Sequence, residues 1–142
     1  MSVSMSRAER EAFLADVHVG VLTVAAADGS GPLATPVWYG YSPGGVISVT
    51  TGSGTHKARA IIAAGRCSLC AQDEAPPYKY VTVEGPAAVE PVELAERTAI
   101  ARRYLGTEAG DAFIAANPGI DNVVIRITPE RWQTADFGKE LG

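Results

Sequence analysis

The chain has 142 residues, of which 46% are apolar and 20% charged, a mixture from which a single domain over 1–142 can bury about two-thirds of its unfolded surface. Its formal net charge is -4, with 16 acidic against 12 basic residues, so there is no overall positive field to draw in a nucleic-acid backbone or an anionic membrane. The apolar runs are short and Met1 to Arg10 lacks the apolar stretch of a secretory signal, which makes a cytoplasmic location the expectation.

Ser6-Arg7-Ala8-Glu9 has the form of a capping box, and Phe13, Leu14 and Val17 follow at helical spacing. A short amphipathic helix from about Arg7 to Asp16 is predicted. Val19 to Ala27, rich in β-branched and small residues, reads as a strand that ends at the turn Asp28-Gly29-Ser30-Gly31. Leu33 to Tyr41 reads as the returning strand, and Pro36, lacking an N–H, places it on an edge or at a bulge. After Ser42-Pro43-Gly44-Gly45, a third strand covers Val46 to Thr51. Tight turns between three successive strands predict an antiparallel meander.

Gly52-Ser53-Gly54 breaks the third strand, and Thr55 to Ala64 has the propensity of a short helix stopped by Gly65. Strands resume at Arg66 to Gln72 and at Tyr78 to Val89, on either side of the loop Asp73 to Pro77. In the first of these Cys67 and Cys70, three apart along a strand, point to opposite faces. They therefore read as buried, inert thiols and not as a disulfide or half a zinc site. With His18 and His56 as the only imidazoles and no carboxylates at ligand spacing, no metal site is expected.

From Val92 to Leu105 the residues Leu94, Thr98, Ala101 and Leu105 form an apolar helical stripe, which leaves Arg97, Arg102 and Arg103 for solvent or a partner. A further helix runs from about Glu108 to Ala116 and stops at Asn117-Pro118-Gly119. Asn122 to Thr128 alternates, with Val123, Ile125 and Ile127 on one side, and Arg131 to Phe137 extends the sheet beyond Pro129. Six or seven short antiparallel strands with helices inserted between them predict a mainly β fold, a small barrel with helical decorations.

The most informative chemistry lies where the third strand gives way to a helix. A Gly-rich stretch entering a helix presents backbone N–H groups at the positive end of the helix dipole, a site for phosphate. Ser53, Thr55, His56 and Lys57 could reach one anion there; the competing reading is a Thr55 cap followed by a solvated lysine. Trp38, Tyr39 and Tyr41, with Tyr78 and Tyr80, could flank a planar ring or pack the core. Irregular backbone at Pro36, Val37 and Trp38 could hydrogen-bond the edge of a heterocycle.

The order of these pieces resembles the pyridoxamine 5'-phosphate oxidase-like superfamily of FMN-binding split β-barrels. That superfamily shows a strand ending near Tyr-Thr, then Ser-Arg-Lys-Ala opening a helix, then an Arg-Gln-Val-x-Val-x-Gly strand. Val49-Thr50, Thr55-His56-Lys57-Ala58 and Lys79-Tyr80-Val81-Thr82-Val83-Glu84-Gly85 stand in those places, and Thr128-Pro129-Glu130-Arg131-Trp132 looks like the closing strand. The likeness spans about Val19 to Phe137. It implies a homodimer with the cofactor at the subunit interface. The phosphate would lie at Ser53, Thr55, His56 and Lys57, the ring beside Pro36, Val37 and Trp38, and the ribityl chain along Thr50 and Thr51. Lys79 and Tyr80 would come from the partner subunit.

Departures from the pattern bear on the cofactor. Ala34 and Tyr39 stand where the authentic oxidases carry basic residues, His56 replaces an Arg, and Tyr80 replaces a Gln, so vitamin B6 oxidation is disfavoured. The chain looks most like the actinobacterial branch that uses the deazaflavin coenzyme F420. The resemblance thus implies an F420-dependent oxidoreductase passing hydride to an electron-poor small molecule, with Tyr39, Tyr80 or bulk water as candidate proton donors. The alternatives are an FMN-dependent oxidase or reductase and a non-catalytic flavin- or haem-binding protein.

Overall fold

The computed structural model describes residues 2–141. Ser6 caps the first helix, α1 (Arg7–Ala15), through the predicted box: its hydroxyl accepts from the Glu9 amide at 3.2 Å and the Glu9 carboxylate accepts from the Ser6 amide at 2.8 Å. The amide of Ser6 and, after it, the ammonium of Lys139 hold the Glu9 carboxyl down to about 2. The strands β1 (Gly20–Val24) and β2 (Leu33–Val37) pair antiparallel, with Val21 opposite Pro36. Within the described residues β2 has β1 as its only ladder partner, the edge position that a proline within a strand requires.

After β2 the chain does not continue a meander. β3 (Ile47–Gly52) pairs with β6 (Asn122–Ile127), and its link to the segment following β2 is the single bridge between Gly40 and Ser48. The expected strand to Tyr41 stops at Val37 because Tyr39 turns its ring inward, 0% exposed, and gives its amide to the Tyr104 hydroxyl at 3.0 Å. The remaining elements are α2 (His56–Ala64), β4 (Arg66–Gln72), β5 (Lys79–Pro91), α3 (Leu94–Leu105), α4 (Thr107–Ala116) and β7 (Arg131–Asp136), followed by a short 3-10 turn over Phe137–Glu140. The strand order is β2-β1-β4-β5-β6-β3, with β7 also on β5. The Gly40–Ser48 bridge brings the two ends of that order together, and the sheet curls into a split barrel. Inside it lie Leu22, Ile47, Val49, Leu69, Val81, Val83, Ile125 and Ile127, all essentially inaccessible to solvent.

β5 is the spine of this barrel. Its first half lies between β4 and β7 and its second half pairs with β6. The change occurs at Gly85, where a Cβ would stand 1.8 Å from the Thr128 carbonyl oxygen. Residues 122–136 thus follow one side of β5 almost continuously. They break only at Thr128 to Glu130, where Thr128 N–H donates to the Pro86 carbonyl at 2.9 Å and Glu130 N–H to the Glu84 carbonyl at 3.0 Å. Arg66 pins the break from outside through Glu84 and Glu130, each at 2.7 Å.

The sequence placed the helical face of α3 incorrectly. Of the predicted stripe Ala101 is buried and Thr98 half-buried, but Leu94 is 62% and Leu105 40% exposed, and Arg97 and Ile100 are buried in their place. The helix is anchored over β6 by Arg126, which meets Glu96 at 2.8 Å and Glu90 at 2.7 Å, and this rotates Arg97 under α4. Arg102 pairs with Asp111, and Arg103 donates to the carbonyls of Ala15 and Asp16, so none of the three arginines is simply solvated. The cysteines do face opposite ways. Cys67 is buried, and burial pushes its thiol up to about 12; Cys70 is only partly buried, against the expectation for both. Among the described residues no helix is long and apolar enough to cross a membrane.

Replacing Gly85 with alanine is expected to cost at least about 3 kcal/mol of stability, because backbone and not a flexible side chain occupies the space. Urea denaturation measures this, and a variant within about 1 kcal/mol of the parent would show that the two strands part easily at this point.

Candidate functional site

The free side of β2 opens on a hollow of about 550 Å³, a volume suited to a small organic ligand or part of a cofactor. Pro36, Val37 and Trp38 form one wall with Val19; Thr50 of β3 and Lys57 of α2 close one side; Arg97, Phe113, Asn117 and Asn122 come from the α3–α4 side and the start of β6. An edge strand has a row of backbone N–H and C=O groups with no neighbouring strand to satisfy them, so this wall offers hydrogen bonds without a dedicated polar side chain.

The aromatic wall depends on α3 and α4. Trp38 stacks on Tyr104 with ring centroids 5.1 Å apart and planes 8° from parallel, and meets Phe113 at 5.4 Å, tilted 53°. The Tyr104 hydroxyl accepts from the Tyr39 amide and donates to the His18 carbonyl at 2.7 Å. One side chain thereby supplies a partner for backbone that has left the ladder and sets the plane of Trp38. Tyr39 is removed from the candidate proton donors: its hydroxyl donates to the Leu14 carbonyl at 2.7 Å in the core, and burial raises its pKa far above the usual phenol range.

At the start of α2, Thr55 is the N-cap. Its hydroxyl accepts from the Ala58 amide at 3.3 Å and donates to the Gly52 carbonyl at 3.0 Å. The Ser53 amide is taken by the Asp121 carbonyl at 2.8 Å. Among the described residues the amides of His56 and Lys57 have no acceptor, and these are the donors that the helix start offers to an anion. A smaller hollow of about 280 Å³, lined by Leu33, Ala34, Thr35, Thr55, His56 and Lys57, adjoins them. Lys57 lines both hollows.

Of the residues singled out in the sequence, the structure thus gathers Pro36, Val37, Trp38, Thr50 and Lys57 around the larger hollow, and Thr55, His56 and Lys57 around the smaller one. Thr51 is buried, its hydroxyl 3.4 Å from that of Thr55, and Ser53 is exposed; neither lines the two hollows. Lys79 and Tyr80 stand at the start of β5 opposite Asp136 and Ala135 of β7, outside both hollows of their own chain. Val19, Arg97, Phe113, Asn117 and Asn122 were not anticipated. The one signal available for them was the Asn117-Pro118-Gly119 stop, which returns the chain over α3.

A split barrel with a ligand-sized groove along its edge strand, and a lysine at a neighbouring helix start, defines the class: a split-barrel protein with an open groove for a small ligand. The chain belongs to the pyridoxamine 5'-phosphate oxidase family, which it matches over residues 6–136. Among solved structures it is similar to the conserved hypothetical protein Rv2991 from Mycobacterium tuberculosis, at 24% identity and a TM-score of 0.80, over 99% of this chain and 91% of that one. It is also similar to an F420 reductase, at 25% identity and a TM-score of 0.70, over 87% of this chain and 94% of the other. A FAD-binding protein from Mesorhizobium loti shares the fold at 21% identity and a TM-score of 0.65, over 92% of each chain. No curated protein matches the sequence.

Tyr104→Phe is expected to lower stability by about 1–3 kcal/mol, the cost of leaving the buried Tyr39 amide without an acceptor. Thermal or urea unfolding of the variant checks this; no loss would mean that water replaces the hydroxyl.

Proposed function

We propose that this chain is an oxidoreductase that holds a phosphate-bearing cofactor of the flavin type in the groove along β2, that the cofactor is coenzyme F420 in preference to FMN, and that two copies of the chain build the complete site. The observation that carries the reading is the position of Lys57, at a helix start with two unused amides and on the rim shared by both hollows. The residues present fit such a group. A phosphate at the His56 and Lys57 amides leaves the larger hollow, with its aromatic wall and edge-strand backbone, for a flat heterocycle.

Charge favours the deazaflavin. Among the described residues Lys57 is the one fixed cation lining the smaller hollow, where Ala34 contributes none. A phosphate monoester such as that of FMN carries about -1.5 to -2 charge at neutral pH, whereas the phosphodiester of F420 carries a single one, which one lysine balances. The likeness to an F420 reductase at 25% identity supports the same choice.

The bound cofactor would supply hydride transfer to an electron-poor small molecule. The chain's own part is binding and orientation: Lys57 and the two amides hold the phosphate, β2 backbone and Thr50 align the ring and its side chain, and Trp38 with Phe113 exclude water. In this arrangement Lys79 and Tyr80 complete the groove of the other subunit, and the acceptor is protonated from Tyr80 of that subunit or from bulk water.

Titration of the purified chain with F420, FMN, FAD and haem separates the readings. F420 is expected to bind and FMN to bind more weakly; FMN as the tighter ligand would replace the cofactor, and haem alone would end the redox assignment. Lys57→Ala is expected to weaken the cofactor by about 1.5–3 kcal/mol, roughly ten- to a hundredfold, through loss of a charge-assisted contact; an unchanged dissociation constant would remove the phosphate from this corner.

Sedimentation velocity at micromolar concentration is expected to give a dimer. A monomer that still binds F420 fully would exclude Lys79 and Tyr80 from the site.

A further inference from the structure

Arg97 is 9% exposed yet lines the larger hollow, and among the described residues it has no carboxylate partner. Its guanidinium is fixed by two backbone acceptors at the end of α4, the Asn117 carbonyl at 2.8 Å and the Pro118 carbonyl at 2.9 Å. Gly119, at φ 63°, makes room for it: a Cβ there would stand 2.5 Å from the Arg97 Cζ. The two carbonyls use part of the donor set of a group that has five N–H bonds and keeps its charge at every physiological pH. Among the described residues no Asp or Glu lines this hollow. A buried charge is costly unless paired, and here it borders a hollow with room for a counter-ion.

We infer that Arg97 is the recognition point for a carboxylate on the small molecule that shares the groove, so that the substrate is an electron-poor planar acid and not a neutral ring. The inference deepens the cofactor reading above and rests on it. Lys57 and Arg97 come from α2 and α3, separate elements bounding one hollow. If the cofactor phosphate takes Lys57, the second cation is left for the second ligand. The aromatic wall of Trp38 and Phe113 suits the apolar body of such an acid, and a guanidinium suits its carboxylate through paired N–H bonds.

The test uses an isosteric pair, naphthoate and naphthamide, titrated by calorimetry into the full-length protein at neutral pH. The parent chain is expected to bind naphthoate at least about tenfold more tightly than naphthamide. Lys57→Ala is expected to keep that preference and Arg97→Gln to reduce it to within about twofold. Arg97→Lys, which retains charge without the fork, is expected to keep a diminished preference, and it serves if the glutamine variant does not fold. Equal affinity for acid and amide in the parent overturns the proposal, and so does loss of the preference in Lys57→Ala alone. F420 affinity is read separately: a fall in Arg97→Gln as large as in Lys57→Ala would assign Arg97 to the cofactor and overturn the inference. A parent chain that discriminates acid from amide but binds no flavin-type cofactor would refute the redox reading while leaving the carboxylate site in place.

Discussion

The architecture depends on the close approach of the Thr128 carbonyl to Gly85. At that point β5 leaves β4 and the chain on its other side changes from β6 to β7. Because residues 122–136 follow β5 through the change, the second half of β5 can carry β6, and β6 carries β3. This is how β3 comes to stand at the opposite end of the strand order from its sequence neighbour β2, joined to the segment after β2 by the Gly40–Ser48 bridge alone. The space on the free side of β2 is the groove. A larger side chain at residue 85 would separate the two runs of backbone, and with them the spacing between Pro36 to Trp38 and the α3–α4 pair.

Local chemistry made much of the fold legible. The alternation of Arg66 to Gln72 matches β4 residue for residue, the Ser6 to Glu9 box caps α1, Gly65 ends α2 in the left-handed region, and Pro36 lies on an edge. Pairing was not legible where partners are far apart. Tight turns suggested that β3 returns to β2, but its ladder runs to residues 122–127, a choice made by burial of Ile47 and Val49 against Ile125 and Ile127. The face of α3 was misread for a different reason. Counting Leu as inside and Arg as outside works only when no polar acceptor is buried nearby, and here the carbonyls of Asn117 and Pro118 give Arg97 an interior place.

The candidate site divides in the same way. Pro36, Val37, Trp38, Thr50 and Lys57 could be named in advance because each stands at a local irregularity: a proline in a strand, a strand end, a helix start. Phe113, Asn117 and Arg97 belong to a helical pair whose position over β2 is set by packing of Tyr104 on Trp38 and by the ion pairs of Arg126. The Asn117-Pro118-Gly119 stop near Phe113 marks the end of its helix but not the contact with Trp38. Thr55 joins both readings offered by the sequence: it caps the Ala58 amide, while the two amides between them, those of His56 and Lys57, have no acceptor within the helix.

The distribution of charge ties these parts together. The chain is acidic overall, at -4, yet the groove lining holds two fixed cations and no carboxylate. Elsewhere several of the basic groups are paired: Arg66 with Glu84 and Glu130, Arg102 with Asp111, Arg126 with Glu90 and Glu96, Lys139 with Glu9. Exposed pairs of this kind add little stability, but they cancel the field that those arginines would otherwise project. Lys57 and Arg97 have no such partner among the described residues, and they act across a hollow with aromatic and aliphatic walls, where field lines are concentrated. An acidic protein can in this way still offer an anion a local place, beside the edge strand of its sheet, where two cations face a hollow that no carboxylate lines.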